Sequence, residues 1–228
     1  MRIETFDHVA LWVDDRDTLA EVLTRHVGMH VVDRTDAFTL VGSDARRGKL
    51  TLFAAEGGRQ PGVLARVALR VTDRDAAAAD LPPELGAVRF DQGSIRFTAP
   101  EGLELELVER DGEGVDFDID HVVLRVPDPD RSFRELAELG FTSDNGRLRA
   151  GQTQVELERG DPGPRERPLL NHLALRVESA QEHIDEAKRR GLDIVKVVDA
   201  ENTLAVFVNG PDGVQLEYVE HKAGFSLV

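Results

Sequence analysis

The chain has 228 residues, 41% hydrophobic and 31% charged, with a formal net charge of −15 and no cysteine. That charge repels nucleic acid and anionic membrane surfaces, and the absence of Cys excludes disulfides and thiolate metal sites. No apolar run approaches the roughly 20 residues of a membrane helix. No apolar stretch of roughly 7–15 residues follows Met1-Arg2-Ile3-Glu4-Thr5 as a signal peptide requires, so a soluble, cytoplasmic protein with room for two modest cores is expected.

In chain order, the first strand is Asp7–Val13. Asp14-Asp15-Arg16-Asp17 reads as a helix start, and Leu19, Val22, Leu23 and Val27 recur at helical spacing until Gly28 stops the helix. Extended runs follow at Met29–Arg34, Ala37–Gly42 and Lys49–Ala55, separated by polar or Gly-containing turns. The unit is thus strand, helix, three strands. It recurs as Val63–Val71, a helix near Asp75–Leu81 ended by Pro82-Pro83, then Val88–Asp91, Ser94–Thr98 and Leu103–Val108. A third copy has Phe117–Val126, a helix near Asp130–Leu139, then Phe141–Thr142, Arg147–Ala150 and Thr153–Glu158. The fourth has Leu169–Val177, the helix Ala180–Arg190, then Ile194–Asp199, Leu204–Asn209 and Val214–Val219.

The opening strands of the four units are versions of one another. They read Asp7-His8-Val9-Ala10-Leu11-Trp12-Val13, Ala65-Arg66-Val67-Ala68-Leu69-Arg70-Val71, Asp120-His121-Val122-Val123-Leu124-Arg125-Val126 and Asn171-His172-Leu173-Ala174-Leu175-Arg176-Val177. Their second positions, 8, 66, 121 and 172, are spaced 58, 55 and 51 residues apart, so one structural unit is used four times. That position is histidine in three copies and arginine in the second. Glu109–Gly114 and Gly160–Pro168 read as linkers. The first lies near the midpoint, which predicts two domains, 1–112 and 113–228, each pairing two consecutive units. The expected fold class is α+β: four βαβββ modules, each pair forming a curved mixed sheet with a cup on its concave side and helices outside.

This arrangement, with His on the first strand and Glu on the last, resembles the vicinal oxygen chelate superfamily, which includes glyoxalase I, bleomycin-resistance proteins and extradiol dioxygenases. The resemblance covers essentially the whole chain. Its most specific piece is the closing turn and strand Pro211-Asp212-Gly213-Val214-Gln215-Leu216-Glu217-Tyr218, echoed by Pro100-Glu101-Gly102-Leu103-Glu104-Leu105-Glu106.

The resemblance implies a ligand from the first and last strand of each unit. Matched by position in the third and fourth units, these are His121, Glu156, His172 and Glu217. Strand parity is compatible with the set, because His172, Ala174 and Arg176 share one face and Leu173, Leu175 and Val177 the other. Two imidazoles with one or two carboxylates suit a divalent Fe, Mn, Ni, Co or Zn ion. An acidic cluster in a half-buried cup without a cation would carry large desolvation and repulsion costs. The alternative is hydrogen-bonded core histidines beside solvated glutamates. In the first two units the matching positions are His8, Arg66 and Glu106, with no counterpart of Glu156 in Lys49-Leu50-Thr51-Leu52-Phe53. Arg66 stays protonated and cannot ligate a cation, so pairing with Glu106 and a degenerate first half are expected.

Arg125 and Arg176 lie four residues beyond each His and are assigned to a substrate anion, with pairing to neighbouring acids as the alternative. His26, His30, His183 and His221 match no motif position. The partner implied is a small molecule with two adjacent oxygens, and homodimers are compatible with the fold. The leading functional expectation is an extradiol-dioxygenase-like enzyme. Phe207, however, stands where those enzymes carry a Tyr, and is assigned to substrate contact. A glyoxalase-like lyase or isomerase, with Glu217 or Glu156 as general base, is the second reading. A drug-binding protein without catalysis is the third.

Overall fold

The four units form as expected. They are β1 (Thr5–Val13), α1 (Arg16–Val22), β2 (His30–Arg34), β3 (Phe38–Gly42) and β4 (Lys49–Ala54); then β5 (Leu64–Val71), α2 (Arg74–Ala79), β6 (Val88–Arg89), β7 (Ser94–Ala99) and β8 (Leu103–Glu109). The third unit is β9 (Ile119–Val126), α3 (Pro129–Glu138), β10 (Thr142–Asp144), β11 (Arg147–Ala150) and β12 (Thr153–Arg159). The fourth is β13 (Leu170–Arg176), α4 (Ala180–Arg190), β14 (Ile194–Asp199), β15 (Thr203–Asn209) and β16 (Gln215–His221). The protein is described as a computed structural model over residues 1–44, 48–90, 93–111, 115–164 and 166–225. The predicted boundary between residues 112 and 113, the end of the Glu109–Gly114 linker, Asp91 and residue 165 of the second linker lie outside these described residues.

Local chemistry explains the repeating element order. Asp15, Asp73, Asp128 and Ser179 each accept a backbone N–H from the first turn of the following helix, which fixes where all four helices start. The helix predicted to run to Val27 is α1 plus a wider π turn, Leu23–Val27. It ends at Gly28, whose φ is +94°; a Cβ there would lie 2.5 Å from the Phe117 ring, so both backbone and packing demand glycine. Alternation along the opening strands sorts the side chains. Val9, Leu11, Val67, Leu69, Val122, Leu124, Leu173 and Leu175 are buried in one apolar cluster that runs through both sheets and against the helices. Tyr218, the single Tyr, belongs to this layer: it stacks on His183 of α4 and its hydroxyl donates to the Leu139 carbonyl at 2.6 Å. The opposite faces, carrying positions 8, 66, 121 and 172, line the cups. Among the described residues no helix is long and apolar enough to cross a membrane.

The pairing of units differs from the expectation. One eight-stranded sheet runs β14-β15-β16-β13-β1-β4-β3-β2, and the other runs β10-β11-β12-β9-β5-β8-β7-β6. The first and fourth units therefore share one sheet, and the second and third share the other. The halves 1–112 and 113–228 do not each close a sheet of their own. Two antiparallel seams join the units, β1 to β13 and β5 to β9. The two crossings between sheets run side by side: Gln60 N donates to Arg167 O at 3.0 Å and Leu169 N to Gln60 O at 2.7 Å. The loops entering units two, three and four are of similar length, so linker reach does not select between pairings.

Expressed separately, residues 1–107 and 118–228 should each leave an apolar seam strand unpaired and associate when mixed. Size-exclusion chromatography should show a one-to-one complex with restored cooperative unfolding. Two independently folded monomers would contradict this sheet order.

Candidate metal centre

The seam between the first and last units sets the site. On it, His8 lies opposite Ala174 and Ala10 opposite His172, so the two imidazoles sit diagonally across a local two-fold. The next strand contributes the acid, because Ala174 pairs in parallel with Glu217 of β16. The result is a cluster of His8, His172 and Glu217 whose ligand atoms all lie within 4.8 Å of one another. His8 Nε2 is 3.2 Å from His172 Nε2, and Glu217 Oε2 is 2.8 Å from His172 Nε2 and 3.6 Å from His8 Nε2.

Neighbours fix which ring nitrogens carry protons. His8 Nδ1 donates to Asp7 at 2.8 Å and His172 Nδ1 donates to Asn171 Oδ1 at 3.0 Å. With both Nδ1 atoms protonated, the neutral rings turn two bare Nε2 lone pairs toward one carboxylate. Three electron-pair donors at these distances repel unless a cation or an added proton sits among them. Burial of His172 disfavours the proton, holding its pKa below the ordinary 6.5 against the pull of Glu217. Burial pushes the Glu217 carboxyl up, but an added proton on the imidazoles, through the His172 hydrogen bond and the imidazole charge, brings it below its usual value. A neutral imidazole and an ionised carboxylate are the protonation states that metal ligands require, so the donor set fits a divalent ion.

An outer layer holds the ligands. Buried Asp7 accepts from His8, from Lys49 Nζ at 2.9 and 3.1 Å, and from His221 Nε2 at 3.2 Å. Burial raises the Asp7 carboxyl, yet these partners bring it well below the usual range. The cluster opens into a cavity of about 390 Å³ walled by Trp12, Phe38, Phe53, Phe207 and Phe225. Phe207 meets the His172 ring edge-on with centroids 5.0 Å apart, and Lys196 Nζ lies 4.2 Å above the Phe207 ring.

Several residues singled out in the sequence lie elsewhere. His121 and Glu156 are on β9 and β12 of the other sheet, so they do not join His172 and Glu217 around one ion. His8, assigned above to a degenerate half, supplies the missing imidazole. In the second sheet His121 Nδ1 donates to Asp120 at 2.8 Å, and its Nε2 is 3.9 Å from Glu106 Oε2. Arg66 Nε donates to that same Glu106 oxygen at 2.8 Å. Arg125 is taken by Glu158 at 2.8 Å and Arg176 by Glu4 at 3.1 Å, so neither is left to meet a substrate anion in the first cavity. His221, which matched no motif, lines that cavity through its bond to Asp7. Its signal was the end of the strand carrying Glu217, two turns of strand alternation beyond the acid and on the same face.

His8→Ala should weaken Co(II) binding in titration calorimetry by more than the roughly 10–100-fold that loss of an outer partner costs, whereas His121→Ala should leave it unchanged. The metal-free protein should also report the His172 environment. Above pH 6.5 both folded and unfolded chains carry neutral imidazole; below it the unfolded chain takes the proton first, so stability falls as pH drops from 6.5 toward the lower folded value. Urea unfolding on both sides of that pH should show the loss, and His172→Gln should flatten it.

Comparison with known proteins agrees with this fold. The model of the Glyoxalase/Bleomycin resistance protein/Dioxygenase superfamily matches residues 5–107 and again 118–218. Among solved structures, a candidate dioxygenase from Bacillus subtilis aligns over 98% of this chain and 87% of its own, with a TM-score of 0.74 and 17% identity. Glyoxalase I from Zea mays aligns over 95% and 92%, with a TM-score of 0.71 and 19% identity. The cppA protein from Streptococcus pneumoniae aligns over 96% and 100%, with a TM-score of 0.69 and 15% identity. At these identities the likeness is one of fold. No curated protein matches the chain. Two family matches that together span most of the sequence, on paired βαβββ units closing over a His, His, Glu cluster, establish that the chain belongs to the Glyoxalase/Bleomycin resistance protein/Dioxygenase superfamily.

Proposed function

We propose that this protein is a metal-dependent enzyme that grips a small molecule through two adjacent oxygens, with dioxygenase-like chemistry, on a divalent ion held by His8, His172 and Glu217. The observation that carries this reading is the count of donors. In the other three units the position beside the seam carries a carboxylate: Glu106 opposite Ala68, Glu156 opposite Val123 and Glu217 opposite Ala174. In the first unit that position, opposite Ala10, is Thr51. The first cup therefore offers two imidazoles and one carboxylate, the donor set of non-haem iron(II) oxygenases, and leaves adjacent positions for substrate oxygens.

A divalent ion bound there would lower the pKa of a chelated hydroxyl and stabilise the resulting anion. The chain's own residues do the rest. Asp7 and Asn171 aim the two imidazoles, the aromatic walls favour a flat ring over a flexible polar chain and exclude water, and Lys196 offers a cation at the wall. His221, held by Asp7, is assigned to accept and return the substrate proton. Phe207 pairs with Glu217 across β15 and β16, so its ring supports apolar contact and supplies no hydroxyl.

The test is anaerobic loading with Fe(II), a panel of catechols, and measurement of oxygen uptake with the ring-cleavage chromophore. Uptake is expected in the native protein and in His121→Ala, and is expected to vanish in His8→Ala and Glu217→Gln. Isomerisation of hemithioacetals without oxygen uptake would replace the reading with a glyoxalase-like one, in which Glu217 acts as the base. Tight ligand binding without turnover would make the protein a sequestering one.

A further inference from the structure

The second cup repeats the backbone register of the first, with Arg66 in place of His172, Glu156 in place of Thr51 and Arg96 in place of Phe207. On its seam Ala68 lies opposite His121 and Arg66 opposite Val123, the same diagonal that Ala174, His8, His172 and Ala10 make in the first cup. His121 matches His8, Glu106 matches Glu217, and Arg66 stands in the place of His172. The surroundings match as well. Asp120 accepts from His121 Nδ1 at 2.8 Å, as Asp7 does from His8 at 2.8 Å. The imidazole-to-carboxylate distance is 3.9 Å for His121 and Glu106 against 3.6 Å for His8 and Glu217. Cations back both aspartates: Arg110, through two bonds of 2.8 and 2.9 Å, behind Asp120, and Lys49 behind Asp7. Glu106 is as buried as Glu217 and needs a positive partner for the same reason. The Arg66 guanidinium supplies it, with Nε 2.8 Å from Glu106 and Nη1 3.1 Å from Glu158.

We propose that the second cup is a latent metal centre kept shut by an internal cation: Arg66 occupies the charge position of an ion, and replacing it with histidine opens a divalent-cation site formed by position 66, Glu106 and His121. Three features of the cup bear on the strength of that site. Glu158 keeps its partner Arg125 when Arg66 is removed, so the substitution strands no second acid. Arg96 Nε also approaches Glu106 Oε2, at 3.2 Å, and competes for the carboxylate an ion would use. Glu156 lines the same cavity, of about 610 Å³, at the position where the first cup has Thr51. The opened site thus has a fourth donor, a second carboxylate, within its cup that the first site lacks.

The inference borrows its template from the reading of the first cup, and the test separates the two. Co(II) is the probe, read as ions per chain by elemental analysis and as visible absorption, with folding checked by circular dichroism. The native protein should hold one ion. Arg66→His, or Arg66→His with Arg96→Gln, should hold one more, and the gain should disappear when Glu106→Gln is added. Arg66→Lys, which keeps the charge, should gain nothing. In a His172→Ala background, Arg66→His should still gain its ion, which would hold even if the first cup bound none. A folded Arg66→His, Arg96→Gln protein with no added ion would overturn the proposal, as would a native protein already carrying an ion at Glu106 and His121.

Discussion

The antiparallel seam between β1 and β13 is the constraint on which the candidate site depends. It joins strands 164 residues apart at His8 and His172, and its register sets each histidine opposite an alanine, so that the two imidazoles meet on the diagonal with their Nε2 atoms 3.2 Å apart. A one-residue slip of either strand would turn its ring into the apolar layer and leave the other without its partner. The register is held by the leucines and valines on the opposite face, so the packing of the core and the geometry of the site are one requirement. The cup's side chains gain their precision from strands rather than loops, which is how a site keeps its donors converged before any ligand arrives.

The two cups show how one backbone solves the same electrostatic problem in two ways. Each buries a carboxylate beside an imidazole whose Nδ1 is tied to an aspartate. A buried carboxylate must be neutralised, because leaving it alone in a poor dielectric costs several kcal/mol. The second cup places a guanidinium on the acid with direct hydrogen bonds. In the first, among the described residues, no lysine or arginine pairs with Glu217; its neighbours are His172, whose proton burial disfavours, and His8. The charge missing from the first cup is the physical reason to read it as an ion site. The outer layer follows the same logic, with Lys49 and His221 on Asp7 and Arg110 on Asp120 preventing the tautomer-fixing acids from becoming unpaired charges themselves.

The cavity above the first cup differs in character from its floor. The floor is polar and charged, while the walls are aromatic, with Trp12, Phe38, Phe53 and Phe207 in contact with one another or with His172. Apolar walls around a few convergent polar groups are the usual make-up of a small-molecule site. The low-dielectric lining strengthens every electrostatic interaction at the floor.

The sequence alone determined the unit and its repetition. Alternating aliphatic strands, capped helices and the Pro-Asp-Gly turn are local signals, each set within a few residues, and they yielded the four modules, the family and the chemistry of the ligand types. Local patterns also placed His172 and Glu217, which lie on neighbouring strands of one unit, among the candidate donors, and gave the pairing of Arg66 with Glu106. Which unit meets which was decided only by the tertiary structure. The four opening strands are near copies, so each presents the same edge and the same apolar face, and nothing in their residues distinguishes a neighbour in sequence from a unit at the far end of the chain. The pairing of β1 with β13 makes His8, not His121, the second imidazole of the candidate site, leaves Glu156 in the other cup, and brings His221 to the wall. Arg125 and Arg176 were decided the same way: an arginine's partner is whatever acid the sheet brings within reach, and here those acids are Glu158 and Glu4.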